Sequence, residues 1–560
     1  MAEIVEANSK MKQRSLFSRV NGRKIREYLT GYLFIAPAVT LIFIFGIFPV
    51  GFALYVSLHK WRLKQGAFIG LKNYVSGIGN LAYLAAFILA LLAFVGAYLL
   101  VRSQQKQGVT GRQWLHLIPA LVQAGAVLAL LRWGVILLPE FLGIADKLRK
   151  LERTQEVFMR LLGETLWAEQ VAAAFFVFIS LAAGGLILGW LVRKFIGDKK
   201  TFQRQSMFAF AWTSLAVGGI LIWFTFKEIA GVYAAALEAG TDPGVWPQVV
   251  TIGSGFILIG LAWLFWKSAE KRVGSKVFWW RILAAFVLMV GGWLLIGEIP
   301  TILASGDPDL WEGLKVTIYF SMFTVPFQLA ISLFLSVLLF QKIWGSNAFR
   351  IIYFLPYVTP AVASAAIFRQ IFSARETAPA NLLLKSLGAE PLRWLFEPKG
   401  VFSIIANGMG VDWPAWAAGP SLALTVIILH SVWTYVGYDT VIYLAGLGNI
   451  SKELIDAAAV DGANKWDTFW YIIFPLLSPT TYFLSLIAII GTFKAFSTIW
   501  IFRDSMALGT TDTFSVTIFI EFFEKLRYGY ASALSFVLFA IILILTVANN
   551  RIQGSRVFYG

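Results

Sequence analysis

Long apolar stretches follow one another along the chain, separated by short clusters of Gly, Pro and charged residues. They fall near residues 32–58, 82–101, 115–138, 170–192, 207–226, 249–266, 278–297, 313–341, 351–372, 421–445, 476–502 and 530–549. A helix needs about 20 residues to cross about 30 Å of hydrocarbon, and most runs have that length. None alternates apolar and polar positions as a membrane barrel does. The pattern predicts an all-α polytopic membrane protein with about twelve transmembrane helices.

Composition agrees with this class and narrows the chemistry. Hydrophobic residues make up 58% of the chain and charged residues 14%, whereas soluble domains have about one quarter charged residues. The absence of cysteine excludes disulfides and thiolate metal sites, and it agrees with a bacterial or archaeal membrane. The three histidines, His59, His116 and His430, have no ligand spacing. We therefore predict neither a metal site nor catalytic residues.

The net charge of +16 reflects loop orientation and predicts no nucleic-acid partner. Lys and Arg lie in short patches between apolar runs, not on one basic face. With the N-terminus placed inside, the predicted cytoplasmic loops include these basic positions: Arg193, Lys194, Lys199, Lys200, Lys267, Lys271 and Arg272. Opposite loops carry Glu228, Glu238 and Asp242. Because short cytoplasmic loops are enriched in Lys and Arg, we expect a multi-pass protein of the cytoplasmic membrane with both termini cytoplasmic.

A charged segment with a turn signal separates two of the last apolar runs. From Glu453 it reads ELIDAAAVDGANKWDTFWYIIFPLLSP. Residues around Ala457 and Ala458 predict a short helix with a small-residue face that a partner can approach closely. Gly462 permits a turn that side chains would block, and Pro475 breaks the backbone before the next span. The alternation of loops places this segment in the cytoplasm.

This segment resembles the coupling-helix motif of binding-protein-dependent ABC importer permeases, which has Glu-Ala-Ala, then Asp-Gly-Ala, then Phe, Ile and Pro at fixed offsets. The positions in register are Asp456, Ala457, Ala458, Asp461, Gly462, Ala463, Phe469, Ile472 and Pro475. Asp456 stands where the family usually has Glu, which keeps the charge and shortens its reach by a methylene. The resemblance implies that these residues dock a separate ATPase.

Three other stretches resemble the maltose-type, or carbohydrate-uptake, branch of that family. They are FIGLKNY at 68–74, FRIIYFLPYVTPAVASAAIF at 349–368 and WTYVGYDTVIYLAGLGNI at 433–450. The resemblance implies a permease subunit of an ATP-driven sugar importer that works by alternating access. The implied partners are a second permease subunit, two ATPase subunits, an extracytoplasmic sugar-binding protein, the sugar itself and membrane lipid.

Energy must reach this chain from a partner. No G-x-x-x-x-G-K-[ST] phosphate loop occurs in the sequence, so the chain does not bind ATP by that route. We expect a transport subunit without enzyme activity or cofactor of its own, with ATP and Mg bound by the partner ATPases. One alternative is the same machinery carrying glycerol phosphate or another small solute. A channel or membrane-embedded enzyme would instead need paired carboxylates or His clusters in spans, and it leaves the coupling motif unexplained.

Polar and aromatic residues in the last core spans are candidates for the substrate path, because sugars suit aromatic faces together with hydroxyl, amide and backbone partners. At positions where the maltose-type family lines its cavity, the candidates are Trp433, Tyr435, Gly437, Tyr438, Asp439, Thr440, Gly491, Thr492, Lys494 and Phe496. Lys494 lies well inside a predicted span, where a charge usually faces the bundle interior or a pore. Aromatic interface belts and Gly or Thr in helix packing are the other interpretation.

The resemblance divides the chain into four parts. Residues 1–31 form a cytoplasmic N-terminal segment, 32–74 the first core span and outer loop, 75–308 an inserted membrane region, and 309–560 the remaining core with the coupling loop at 446–475. The insertion has about six predicted helices. An even number of crossings returns the chain to the same side, so the core topology is preserved. The insertion is either a lateral docking or regulatory module or an elaboration that pads the bundle.

Overall fold

The computed structural model describes residues 22–109, 111–149, 151, 154–196, 201–270, 276–297, 299–341 and 344–554. The predicted N-terminal segment therefore lies outside the described residues up to residue 21. The basic positions Lys199, Lys200, Lys271 and Arg272 also lie outside them.

Helices account for most of the described chain. In chain order they are α1 (Gly22–Ile42, a π-turn at Phe43–Ile47, and Phe48–Ser57), α2 (Lys72–Ile78), α3 (Leu81–Lys106), α4 (Leu117–Leu148), α5 (Gln155–Leu166), α6 (Glu169–Ile196), α7 (Thr201–Glu238), α8 (Val245–Glu270), α9 (Lys276–Ile296), α10 (Ile299–Ala304), α11 (Pro308–Phe340), α12 (Ser346–Val358), α13 (Ala361–Ile371), α14 (Pro379–Ser386), α15 (Val401–Gly408), α16 (Leu422–Gly448), α17 (Lys452–Val460), α18 (Lys465–Leu476), α19 (Ser478–Phe493), α20 (Ser497–Phe502), α21 (Phe514–Phe519, followed by a π-turn at Ile520–Glu524) and α22 (Tyr528–Gln553). Among the described residues, ten helices are long and apolar enough to cross a membrane, and two bent pairs bring the number to as many as twelve. The predicted all-α polytopic fold is confirmed.

One predicted span, 351–372, is not a straight helix. It is divided into α12 and α13, whose axes meet at 96°. The break lies at Thr359 and Pro360, and Thr359 is extended (φ −67°, ψ 133°). Proline disfavours the helical region for the residue before it, and Thr359 is extended in this way, so the helix ends there.

The predicted run 476–502 is also interrupted. Its helix α19 ends at Phe493, and a short non-helical segment separates it from α20. The hydroxyl of Ser515 donates to the Phe493 carbonyl oxygen at 3.0 Å, and that of Thr513 donates to the Ala495 carbonyl oxygen at 3.3 Å. These hydroxyls replace helical N–H donors at the end of α19. Residues distant in sequence therefore stabilise a break that an apolar run conceals.

Six of the candidate spans lie between residues 81 and 296, in the predicted insertion. These six helices pack as three antiparallel pairs: α3 with α7, α4 with α6, and α8 with α9. In the α8–α9 pair, a Cβ atom on Gly255 would lie 2.9 Å from the Gly292 carbonyl oxygen. Small residues allow such close approach of helix backbones in membranes.

The inserted helices are attached to the core through the segment around α2. The Leu71 N–H donates to the Glu228 carboxylate of α7 at 3.3 Å, and the Asn80 side chain donates to Gln248 of α8 at 2.7 Å. Beside these polar contacts lies a cluster of buried apolar side chains: Tyr83, Leu84, Ile229, Val245, Val249, Ile252 and Ile302. The inserted helices thus pack against the segment around α2, and α2 in turn lies against the core, where a Cβ atom on Gly77 would lie 3.0 Å from the Leu534 side chain.

In the core, α11 and α16 form a tightly packed pair with polar groups at their contact. The Ser332 hydroxyl of α11 donates to the Val436 carbonyl oxygen of α16 at 2.9 Å. Further apolar residues of α11, α13, α16, α20 and α21 form the largest buried cluster of the core. This packing leaves a space on the side of α16 that faces α12 and α19.

Ionic contacts order the chain between α21 and α22, and a hydrogen bond ties the start of α22 to the start of α11. Glu521 is 1% exposed and pairs with Lys525 at 2.9 Å and with Arg527. Its carboxylate raises the pKa of the Lys525 ammonium. The Tyr530 hydroxyl donates to Asp307 at 2.6 Å, and Asp307 also caps α11. These contacts hold the last core span against α11.

Candidate functional site: a coupling loop and a polar cavity

The coupling loop, residues 446–475, connects α16 to α19 through α17 and α18. Helix α17 begins after Ser451, whose hydroxyl accepts a hydrogen bond from the Glu453 N–H at 3.2 Å. Such a cap replaces one missing backbone partner at the start of a helix. Asp456 lies in the middle of α17 with a largely exposed carboxylate, 4.0 Å from the Lys452 ammonium. This pair is a solvent-exposed contact that leaves the carboxylate accessible to a partner.

The end of α17 is a tight turn built on glycine. Gly462 has φ +83°, a left-handed conformation that glycine adopts without the penalty a Cβ atom brings. Its N–H donates to the Ala459 carbonyl oxygen at 3.2 Å, and the Ala463 N–H donates to the Ala458 carbonyl oxygen at 2.9 Å. These two bonds form a Schellman motif, which satisfies the last carbonyls of the helix. The turn sets the direction in which the chain leaves α17.

Helix α18 starts at once after this turn. The Asn464 side chain accepts hydrogen bonds from the N–H groups of Trp466 and Asp467 at 2.8 and 2.9 Å, and Asp467 accepts one from the Asn464 N–H at 3.3 Å. This reciprocal capping box fixes the start of the helix. Pro475 does not itself mark the break, because α18 passes through it by way of a π-turn and bends by 61° into α19 at Leu477.

The coupling loop exposes apolar and small side chains at the end of two spans. Val460 is 87% exposed, Trp466 68% and Tyr471 80%. Ala457, Asp461 and Gly462 are also exposed, whereas Ala458 is buried and Ala463, Phe469 and Pro475 are half-buried. Phe469 packs among the rings of Trp466, Trp470 and Phe474. The loop has a partly apolar, exposed surface that a partner can cover.

A cavity of about 390 Å³ lies among α11, α12, α16, α19 and α20. Its lining combines aromatic rings with hydroxyl, amide and charged groups: Phe320, Thr324, Gln328, Tyr357, Ser431, Tyr435, Tyr438, Asp439, Ile487, Ala488, Gly491, Thr492, Lys494, Ala495, Phe496, Ser497 and Thr498. Seven of the ten predicted substrate-path residues lie in this lining: Tyr435, Tyr438, Asp439, Gly491, Thr492, Lys494 and Phe496.

Two features define the chemistry of the cavity wall. Asp439 is 3% exposed and accepts a hydrogen bond from Gln328 at 2.5 Å, so the carboxylate is held between α11 and α16. The Tyr357 and Tyr438 rings stack with centroids 4.7 Å apart, and Tyr435 meets Tyr357 edge-on at 5.8 Å. The wall therefore offers hydrogen-bonding groups beside aromatic faces, as a polyhydroxylated ligand requires.

Lys494 lies just after the last residue of α19 and is exposed toward the cavity. The sequence places it inside a continuous span, and the structure places it at a helix C-terminus, where a cation is favourable. Among the described residues, no carboxylate forms an ion pair with it. It is therefore a cation that a ligand in the cavity can reach.

Three predicted path residues lie outside the cavity lining. Gly437 packs against the backbone of α12, where an added Cβ atom would lie 1.7 Å from the Tyr353 carbonyl oxygen. The Thr440 hydroxyl donates to the Val436 carbonyl oxygen at 2.7 Å within its own helix. The Trp433 ring packs against Phe368 at 5.3 Å. In the structure these three residues contribute to helix packing.

The cavity also contains residues that were not predicted, chiefly Thr324 and Gln328 of α11, Tyr357 of α12 and Ser431 of α16. A signal for the α11 residues is present in the sequence. Polar residues recur on one face of this otherwise apolar span at helical spacing: Thr317, Ser321, Thr324, Gln328, Ser332 and Ser336. Such a stripe faces the interior of a bundle and not lipid. Tyr357 has no comparable signal in the sequence.

The helical fold, the coupling loop and the polar cavity define a polytopic membrane permease. Its coupling loop lies between two core spans. The family described as "Binding-protein-dependent transport system inner membrane component" matches residues 328–556. The chain belongs to this family, which makes it an inner-membrane transport component of an ABC importer. The predicted importer permease is confirmed. The match includes the coupling loop and most of the cavity, and it leaves the inserted helices unmatched.

Curated relatives agree with this assignment. The chain is 31% identical to the sn-glycerol-3-phosphate transport system permease protein UgpA of Rhizobium meliloti, over 45% of this chain and 79% of the relative. It is 30% identical to the probable ABC transporter permease protein YesP of Bacillus subtilis, over 46% and 76%. It is 27% identical to the arabinooligosaccharides transport system permease protein AraP of Halalkalibacterium halodurans, over 54% and 86%. All three relatives are named as permease proteins, and two of them are named for different solutes.

Proposed function

We propose that this chain forms half of the translocation path of an ATP-driven sugar importer and docks an ATPase through its coupling loop. The complex would contain a second permease subunit, two ATPase subunits that bind ATP and Mg, and an extracytoplasmic sugar-binding protein. Both chain termini and the coupling loop would be cytoplasmic. In this arrangement the coupling loop transmits movement of the ATPase to the spans that surround the cavity.

The observation that carries the docking role is the exposed coupling loop. Ser451, Gly462 and Asn464 give it a defined geometry through two caps and a turn. Exposed Val460, Trp466 and Tyr471 then provide apolar contact area of the kind that partners bury. A loop that is held by these caps and joined directly to α16 and α19 can convert a push on its surface into movement of the cavity wall.

The cavity supports a sugar as the substrate. Stacked tyrosines, hydroxyls, an amide and a carboxylate suit the apolar faces and hydroxyl groups of a sugar ring. The relative named for arabinooligosaccharides agrees with this substrate class. The alternative, glycerol phosphate, has one specific observation in its favour, because Lys494 offers a cation in the cavity.

The assembly is tested by purifying the full-length chain together with the products of its neighbouring genes. We expect an ATPase and a second permease to copurify, and we expect binding protein loaded with sugar to stimulate ATP hydrolysis. Absence of any associated ATPase would refute the proposed function.

Lys494→Gln distinguishes the two substrate classes. A neutral sugar does not need a countercharge, so we expect sugar transport to remain within a few-fold of the native rate. A phosphate would lose a charge-assisted hydrogen bond worth about 1.5–3 kcal/mol, or more than tenfold in affinity. Uptake of labelled sugar and of labelled glycerol phosphate is measured in proteoliposomes, with Lys494→Arg as the control that keeps the charge. A large loss that Lys494→Arg restores would favour the phosphate.

A further inference from the structure

The inserted hairpin of α8 and α9 has an apolar groove at the end opposite its tightest contact. The two helices meet closely at Gly255 and Gly292 and leave a groove of about 600 Å³ nearer the residues that connect them. The groove is lined by aromatic and aliphatic side chains, among them Trp263, Trp266, Trp279, Leu283 and Phe286. Tryptophans mark the headgroup level of a membrane. The groove therefore extends from that level toward the membrane interior.

Two cations lie at this end of the hairpin. The Lys267 ammonium lies 5.0 Å from the centre of the Trp263 ring. Arg281 donates from one nitrogen to the carbonyl and hydroxyl oxygens of Ser268 at 2.9 and 2.7 Å. A guanidinium has five N–H groups, so donors remain beyond those that bind Ser268. The Glu270 carboxylate accepts a hydrogen bond from the Trp266 indole at 3.0 Å.

The charge of the surrounding sequence has the same sign. From residue 267 to residue 281 the sequence contains five Lys or Arg residues and one Glu. Anionic headgroups are attracted to such basic clusters beside transmembrane helices, and basic pockets between helices hold them. The apolar groove suits the acyl chain of one anionic phospholipid. The tryptophans lie at the level of its interface, and the positively charged end of the hairpin suits its headgroup.

We propose that the α8–α9 hairpin binds an anionic phospholipid, with an acyl chain in the groove and the headgroup phosphate at Lys267 and Arg281. This gives part of the insertion a binding role that is independent of the sugar cavity and of ATPase docking. Lipid binding at this hairpin does not depend on which solute the protein transports.

The test is native mass spectrometry of the purified full-length chain titrated with phosphatidylglycerol or with phosphatidylcholine. We expect phosphatidylglycerol to bind more tightly. Each cation near a membrane surface changes a lipid-binding constant about fivefold, so Lys267→Gln combined with Arg281→Gln should weaken phosphatidylglycerol binding about thirtyfold. Phosphatidylcholine binding should change little.

The chain offers a matched control. Lys194 lies over the Trp190 ring at 5.5 Å near the end of α6, with Arg193 beside it. Arg193→Gln combined with Lys194→Gln removes the same charge outside the groove and should leave phosphatidylglycerol binding unchanged. Leu283→Trp fills the groove and keeps both cations, so it should weaken binding even if the Arg281 variant folds poorly. Equal binding of the two lipids, or equal losses in the groove and control variants, would overturn the proposal.

Discussion

Gly462→Pro is expected to abolish the stimulation of ATP hydrolysis by sugar-loaded binding protein while the chain still enters the membrane. Gly462 has φ +83° and donates its N–H to the Ala459 carbonyl oxygen. Proline has φ near −65° and no N–H, and a misplaced proline costs about 3 kcal/mol or more. The turn would therefore open, and the angle between α17 and α18 would no longer be fixed. Because the residue is exposed, the spans themselves should be unaffected.

The measurement compares ATPase activity of the assembled complex with and without binding protein and sugar, after immunoblotting shows equal amounts in the membrane. Gly462→Ala is the matched control. It keeps the N–H, and an added Cβ atom at Gly462 meets open space, so only the left-handed conformation is penalised, by about 1–2 kcal/mol. We expect partial stimulation in this variant. Normal stimulation in Gly462→Pro would remove the coupling role from the loop.

Gly437→Ala is expected to destabilise the core and reduce transport, although it adds a single methyl group. That methyl group would lie 1.7 Å from the Tyr353 carbonyl oxygen and 2.4 Å from its carbon. Backbone atoms cannot swing aside as a side chain can, so α12 and α16 must move apart. Overpacking of this kind costs about 3 kcal/mol at the upper end of its usual range. The movement also displaces Tyr357, which stacks on Tyr438 in the cavity wall.

Thermal unfolding of the purified chain and sugar uptake in proteoliposomes measure this effect. Gly448→Ala is the control on the same helix, because its added methyl group would meet no atom within 4 Å. We expect the control to unfold at the native temperature, because no atom must move to admit its methyl group. If the two variants behave alike, close contact between α12 and α16 is not what requires glycine at position 437.

The predictability of the fold differs between spans. The span 421–445 was predicted closely and appears as α16, whose start is fixed by Ser421. The run 476–502 was predicted as one span, but hydroxyls of Thr513 and Ser515 satisfy carbonyls at its break. Apolar content indicates that a segment enters the membrane, and it does not show where distant residues interrupt the helix.

The two candidate sites also differ in how far local sequence predicts them. The coupling loop is formed by hydrogen bonds between neighbours, from Ser451 to Asp467, so its helix and turn can be anticipated from residue types alone. The cavity depends on five helices meeting, and Gln328 and Asp439 are 111 residues apart when they pair. Tyr357 comes from α12, on the N-terminal side of the bend at Pro360, and lines the cavity beside Tyr438.

Sequence alone determined the membrane class, the importer machinery and the absence of a phosphate loop, because hydrophobic transfer and local motifs depend on residues near one another in the chain. Tertiary structure decided which polar residues line a common cavity, that Gly437 packs against Tyr353, and that the inserted α8–α9 hairpin has a groove with a basic rim. Those properties depend on which helix faces meet, and that is determined by packing over the whole chain.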